Sequence, residues 1–400
     1  MPKRDEIGIF IDAWYAEPFM DGIDKTGEHE LTWDNIRTFE AMLADDGAVI
    51  VKLFLHVSRD VQKMQLAEEA PRNLQNPRVA ASPGEWKGKY KRAVKVANRM
   101  IMATDSAKAP WQAIRADHPY NRDVKAGRYL LQAMQRAISQ ADLSVEGSAS
   151  VDGNSSAAVP VAAPAFLEAV DLDRALEKQD YREKLEKLQL RLQDLAWQAR
   201  AKERSLIAVF EGWDAAGKGS AIRRVTQAID PRLYRLVQYA APTDEESAHH
   251  YLWRFWRHLA RDGRCMIFDR SWYGRVLVER VEGFASDEEW RRAYEELRVF
   301  EWQLHDHGSM VIKFWLHISP EEQLKRFEER KDIPRKQHKI TEEDWRNREK
   351  WPAYEQAVND MIKRTNTDYA PWHIVAGNDK RYARIDILKA LCKTLESTLA

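Results

Sequence analysis

The stretch VFEGWDAAGKGS, residues 209–220, decides how this chain is read. An apolar run, Leu206 to Phe210, leads into it as a strand would, and Gly212, Gly217 and Lys218 follow at the spacing of a phosphate-binding P-loop. Glycine lets successive backbone amides turn inward around phosphate oxygens. The helix that follows presents its positive end, and Lys218 is placed to reach a transferred phosphoryl group. Gly212, Ala215, Ala216, Gly217, Gly219 and Ser220 are the expected phosphate cradle. The Ser/Thr that usually follows the lysine is replaced by Gly219, with Ser220 one place later. A hydroxyl there normally helps to hold Mg2+, so Asp214 inside the loop is the expected substitute oxygen ligand.

Working outward, residues 263–269 (GRCMIFD) read as a turn and then a buried strand ending in an acid. That is the layout of a Walker B strand, which sets Asp269 beside the metal. The chain continues as RSWYGR, residues 270–275. GWDAAGKG followed by FDRSWYGR resembles the polyphosphate kinase 2 family, P-loop enzymes that move phosphoryl groups between inorganic polyphosphate and nucleotides. The likeness extends from about residue 170 to the C-terminus, and the paired motifs are far more specific than a P-loop alone.

Composition excludes several alternatives. Lys+Arg and Asp+Glu are equal at 63 each, so no overall field favours nucleic acid or a membrane surface, and a polyanion site must come from local clustering. Two cysteines, Cys265 and Cys392, suggest neither a disulfide framework nor a zinc site. His249 and His250 have no acid or cysteine at ligand spacing. No secretory segment opens the chain and no apolar run reaches membrane length, which leads one to expect a cytoplasmic protein.

The chain also repeats itself. Residues 7–12 (IGIFID) resemble the end of the 263–269 stretch and read as a strand ending in Asp12. VKLFLHVS at 51–58 parallels IKFWLHIS at 312–319, and Ala-Pro-Trp at 109–111 parallels 370–372, both pairs 261 residues apart. Ordered matches at nearly constant offset mean an internal duplication, and the polyphosphate kinase 2 family includes such fused forms. The first copy has no P-loop, and Gln65 and Glu69 stand where the second has Arg326 and Arg330. Residues 1–140 are therefore expected to be a truncated, degenerate copy, 141–166 a flexible linker, and 167–400 the catalytic domain.

Within that domain a leucine stripe from 172 to 201 predicts a packing helix. Strands are expected at 206–210, 234–238, 264–269, 310–318 and 372–376, with helical patterns between them. The fold class is thus α/β, a P-loop kinase-like parallel sheet with helices on both faces and a lid. The basic run from Arg326 to Lys339 is interrupted by Pro334, so residues 330–339 are expected in a loop over the site.

Phosphoryl transfer by positioning and charge neutralisation would then assign Lys218, Asp214, Asp269, Arg270 and Arg330 to catalysis, with Mg2+ on Asp214 and Asp269. Lys331, Arg335, Lys336 and Lys339 would bind phosphates beside the loop. The resemblance implies inorganic polyphosphate as donor and AMP as acceptor, giving ADP. An ATP-dependent nucleotide kinase and a polyphosphate:nucleoside diphosphate kinase stay open as alternatives. So does the oligomeric state, a homo-oligomer included.

Overall fold

The computed structural model describes residues 1–11, 13–24, 30–69, 88–147, 166–259, 261–332 and 342–399. They fall into two units, Ile7–Ala157 and Met1–Glu6 together with Ala158–Ala400.

The first unit runs α1 (Ala16–Asp24), α2 (Glu30–Asp45), β1 (Lys52–His56), α3 (Arg59–Glu69), α4 (Tyr90–Thr104), β2 (Trp111–Arg115) and α5 (Pro119–Gly147). The second opens with α6 (Lys178–Ala201), β3 (Leu206–Gly212), α7 (Lys218–Thr226), β4 (Tyr234–Gln238), α8 (Asp244–Ser247), α9 (Trp253–Trp256) and β5 (Cys265–Asp269). A 3-10 turn, Trp272–Val276, precedes α10 (Val278–Val281), α11 (Asp287–Asp306) and β6 (Met310–His317). The chain ends with α12 (Pro320–Asp332), α13 (Glu342–Glu349), α14 (Trp351–Thr365), β7 (Trp372–Ala376) and α15 (Lys380–Leu399).

The second unit holds a five-stranded parallel sheet in the order β4-β5-β3-β6-β7. The five strands expected from the sequence are these five, with ends that differ by a residue or two. Its inner strands are buried along their length, which is why they read as unbroken apolar runs. Leu192, Leu195, Ala196 and Ala199 form the buried stripe of α6, which packs on α15. The order of strands reverses at β3, and the register sets Phe210 opposite Asp269. The P-loop and the acid of β5 therefore meet at one end of the sheet, where such folds bind ligands.

The first unit has a two-stranded parallel sheet, β1-β2. The strand expected at residues 7–11 does not form: Ile7, Ile9 and Ile11 are exposed and the backbone is not in a ladder. Its counterpart β5 is held between β3 and β4, and no described strand of the first unit takes those places, so residues 7–11 have no ladder to join. From Glu40 onward the described elements keep one register. α4 and α14 begin 261 residues apart, as do β2 and β7, and α5 and α15. Lys52 Nζ meets Tyr15 Oη, Glu40 and the Thr104 carbonyl, and Lys313 Nζ meets Tyr273 Oη, Glu301 and the Thr365 carbonyl. The second unit is thus an α/β P-loop domain, and the first a partial copy of it.

Two boundaries differ from expectation. Helix α5 runs to Gly147, so residues 141–147 of the expected linker are helical; the first helix breaker in that stretch is Gly147 itself. Residues 148–165 lie outside the described residues. Arg330 and Lys331 form the last turn of α12 and are not in a loop, because the helix continues to Asp332, next to the residue that Pro334 disfavours.

Candidate active site

Gly212 ends β3 in register with Leu316 of the parallel strand β6, and a Cβ there would meet the Leu316 carbonyl at 2.6 Å. Gly217 caps α7 in a left-handed conformation, φ 107°, which glycine adopts at no steric cost. Between them Ala215 also has positive φ, 61°, as does Arg270 at 64°, directly after β5. Residues held in this region mark strain that the surrounding structure must maintain. Among the described residues the amides of Gly217, Lys218 and Gly219 have no protein acceptor, and they lie at the positive end of α7. Such a concave set of free amides is an anion nest.

The side chains expected at the loop divide by what they touch. Lys218 Nζ folds back onto the carbonyls of Gly212 at 2.5 Å and Trp213 at 3.3 Å. Asp214 Oδ2 accepts from Asn347 at 3.0 Å, and its Oδ1 is 3.9 Å from the Arg270 guanidinium. Asp269 Oδ2 accepts from Gln238 at 3.2 Å. The Arg270 side chain is half exposed. Ser220 Oγ donates to the Gly217 carbonyl at 2.9 Å, so this hydroxyl serves the first turn of α7. The carbonyls of Ala215 and Ala216 both point at Arg326.

The basic cluster is less uniform than its sequence suggests. Arg326 is 2% exposed and bonded throughout, which separates it from the cations that the sequence suggests for phosphate binding. Arg275 is paired with Glu279 at 3.1 Å and lies over the Tyr251 ring. Arg330 and Lys331 stand at the C-terminal end of α12. Arg335, Lys336 and Lys339 lie outside the described residues.

Four contributors were not legible from motif spacing. Glu211, buried one residue before Gly212, accepts the Ser271 hydroxyl at 2.7 Å; burial raises its carboxyl above the ordinary range, against the nearby Lys218 charge. Gln323 donates to the Asp214 carbonyl at 3.1 Å and Asn347 to its carboxylate. His317 Nδ1 accepts the Trp213 indole N–H at 2.9 Å, and Trp213 is itself stacked on Trp351 with centroids 3.7 Å apart. The glutamate in FEGWD and the spacing of Gln323 from Arg326 were the available signals, but neither reveals burial.

Asp214 and Asp269 offer hard oxygen donors, and no cluster of three or more His, Cys, Asp or Glu suited to a metal occurs among the described residues. Carboxylate oxygens of this kind suit a hard divalent cation, which would complete its shell with phosphate oxygens and water.

A parallel sheet with a glycine nest, a lysine and an acid at its C-terminal edge defines the class of P-loop phosphotransferases. The polyphosphate kinase 2 family matches residues 1–142 and 175–399, and the chain belongs to that family. The chain is 43% identical to the polyphosphate:AMP phosphotransferase of Pseudomonas syringae pv. tomato, over 100% of this chain and 80% of that protein. An ADP-polyphosphate phosphotransferase of Rhizobium meliloti is 42% identical over 55% of this chain and 72% of its own length. A crystal structure from Pseudomonas aeruginosa assigned to polyphosphate kinase 2 covers 100% of this chain and 78% of its own, at TM-score 0.84 and 40% identity.

Proposed function

We propose that this chain transfers a phosphoryl group from inorganic polyphosphate to AMP, giving ADP, in the cytoplasm and with Mg2+ as its metal. The observation that carries this reading is the meeting of the amide nest with Lys218, Asp214, Asp269 and Arg270 at one end of the sheet. The choice of AMP is supported by the relative that matches the whole chain and is named for that acceptor, while the relative named for ADP matches little more than half.

In this reading an oxygen of the AMP phosphate attacks the terminal phosphorus of the polyphosphate. The new P–O bond forms as the bond to the rest of the chain breaks, and the shortened polyphosphate leaves with the electron pair. The amides of Gly217 to Gly219 and the Lys218 ammonium hold donor oxygens in line, so the protein's work is positioning and charge neutralisation. Arg270 faces the charge that develops between donor and acceptor. Arg330 and Lys331, with Arg335, Lys336 and Lys339 beyond them in sequence, take the remaining phosphates. Mg2+ held by Asp214 and Asp269 would neutralise donor oxygens and withdraw charge from the breaking bond.

The test is initial ADP formation from AMP and Mg2+ with long polyphosphate, triphosphate or ATP as donor, across a salt series. Long polyphosphate is expected to be the fastest donor. Its apparent affinity should weaken as salt rises, because its contacts are exposed charges screened over roughly 10 Å at 0.1 M. Faster transfer from ATP, with no dependence on chain length, would replace the reading with an ATP-dependent nucleotide kinase. Preference for ADP as acceptor would replace AMP.

A further inference from the structure

We infer that Arg326 is a positioning residue that holds the P-loop in its phosphate-binding shape. Its guanidinium has five N–H donors, and all five are used. Nη1 donates to the carbonyls of Ala215 at 2.9 Å and Ala216 at 3.0 Å. Nη2 donates to the carbonyls of Gly377 at 2.7 Å and Asn378 at 2.8 Å, in the turn after β7. Nε donates to Glu322 at 2.6 Å, one turn back on α12. One buried fork thus joins the P-loop to the turn after the edge strand β7.

The consequence for the nest follows from peptide geometry. In a trans peptide the C=O and N–H point in opposite directions. Drawing the Ala216 carbonyl toward Arg326 aims the Gly217 N–H the other way, into the set of free amides. Gln323, three residues before Arg326 on the same face of α12, takes the Asp214 carbonyl. Three consecutive loop carbonyls, 214 to 216, are therefore turned toward one helix. Ala215 sits among them at φ 61°, a conformation that non-glycine residues hold only when their surroundings impose it.

The internal repeat supplies a comparison within the molecule. Ser319 N donates to Asn378 Oδ1, and 261 residues earlier Ser58 N donates to Asp117 Oδ1, so the turn that receives this helix is kept in both copies. The position equivalent to Arg326 is Gln65. The copy without a P-loop keeps the scaffold and lacks the arginine, as expected if the arginine serves the loop.

The inference rests on the P-loop being the donor-phosphate site. It is tested on the full chain with Arg326→Lys, which keeps the charge but cannot span the carbonyls, and Glu322→Gln, which weakens the ion pair and leaves the fork. Each protein is measured for melting temperature, for tripolyphosphate binding by calorimetry, and for kcat and KM of AMP phosphorylation. For Arg326→Lys, kcat is expected to fall about tenfold or more and tripolyphosphate affinity about fivefold, with the KM for AMP within about twofold. Glu322→Gln should lose melting temperature while kcat and tripolyphosphate affinity stay within about threefold. If both variants lose rate in step with melting temperature, or Arg326→Lys keeps full rate and binding, the inference is overturned. Should Arg326→Lys not fold, Gln323→Met tests the same set of carbonyls and is expected to weaken tripolyphosphate binding about threefold or more. The binding arm needs no turnover, so a failure of the proposed reaction would be told apart from a failure of the clamp.

Discussion

Lys218 rests its ammonium on the Gly212 and Trp213 carbonyls and is the one cation within the 209–220 stretch; in the proposed reaction it meets a donor phosphate. Lys218→Ala is expected to lower kcat by about 10²-fold or more, the scale of losing one charge-stabilising group, while leaving the melting temperature nearly unchanged. A variant with near-normal turnover would remove Lys218 from the chemistry. His317 acts on the neighbouring residue. Its Nδ1 accepts the Trp213 indole N–H, so the ring must be neutral there, and burial pushes its pKa down from 6.5 to about 4. Between those values the unfolded chain takes up a proton that the folded chain does not. Stability should therefore fall as pH drops from 6.5 to about 4, by about 3 kcal/mol for this group, and change no further from it below that. Urea unfolding across that range should show a shallower slope for His317→Gln, whose amide oxygen can still accept from Trp213 but does not titrate. Equal slopes would mean that other groups govern the acid loss.

At the scale of elements, the buried hub around Lys313 ties four of them together. Its ammonium donates to Tyr273 in the 3-10 turn, Glu301 on α11 and the Thr365 carbonyl at the end of α14, from a position inside β6. Burial drives the Lys313 pKa down, and the carboxylate of Glu301, fully buried at 2.6 Å, holds it up. Breaking one side of such a pair strands a charge. Glu301→Ala is expected to cost about 3–5 kcal/mol, and Glu301→Leu with Lys313→Met to recover a large part of it. Chemical denaturation of the three proteins checks this; a double variant no better than the single would show that the bonds to Tyr273 and Thr365 matter more than the charge. The hub also fixes the DRSWYGR segment, since Trp272 Nε1 and Tyr273 Oη both donate to Glu301. The backbone that carries Asp269 and Arg270 is thus anchored from beneath by a core network.

For the whole molecule, the two copies differ in how the equivalent helix is covered among the described residues. On α15 the residues Ile385, Leu391, Leu395 and Leu399 are buried in a helix that packs on α6. Their counterparts on α5, Val124, Leu130, Met134 and Ile138, are exposed. Every described residue of the candidate site lies in the second unit, and Leu167, 1% exposed, already belongs to its core. A chain starting at Phe166 is therefore expected to fold and to keep the phosphoryl transfer within about threefold of the full chain. A folded but inactive product, by circular dichroism and ADP assay, would mean that the first unit contributes to the reaction.

The sequence by itself determined the motifs and the strands. P-loop spacing, the acid at the end of an apolar run and the 261-residue repeat are local or periodic signals, and each depends on backbone preferences that neighbours along the chain impose. Only the tertiary structure decided which charges are available. Arg326 reads as one more cation of a basic run, yet it is consumed by carbonyls 110 and 111 residues away, and Asp214 takes its amide partner from Asn347, 133 residues on. Residues 7–11 carry the same apolar pattern as β5 and form no strand, because a strand exists only where another offers it a ladder. Burial and pairing are properties of what the chain brings together, and a pattern of residue types does not contain them.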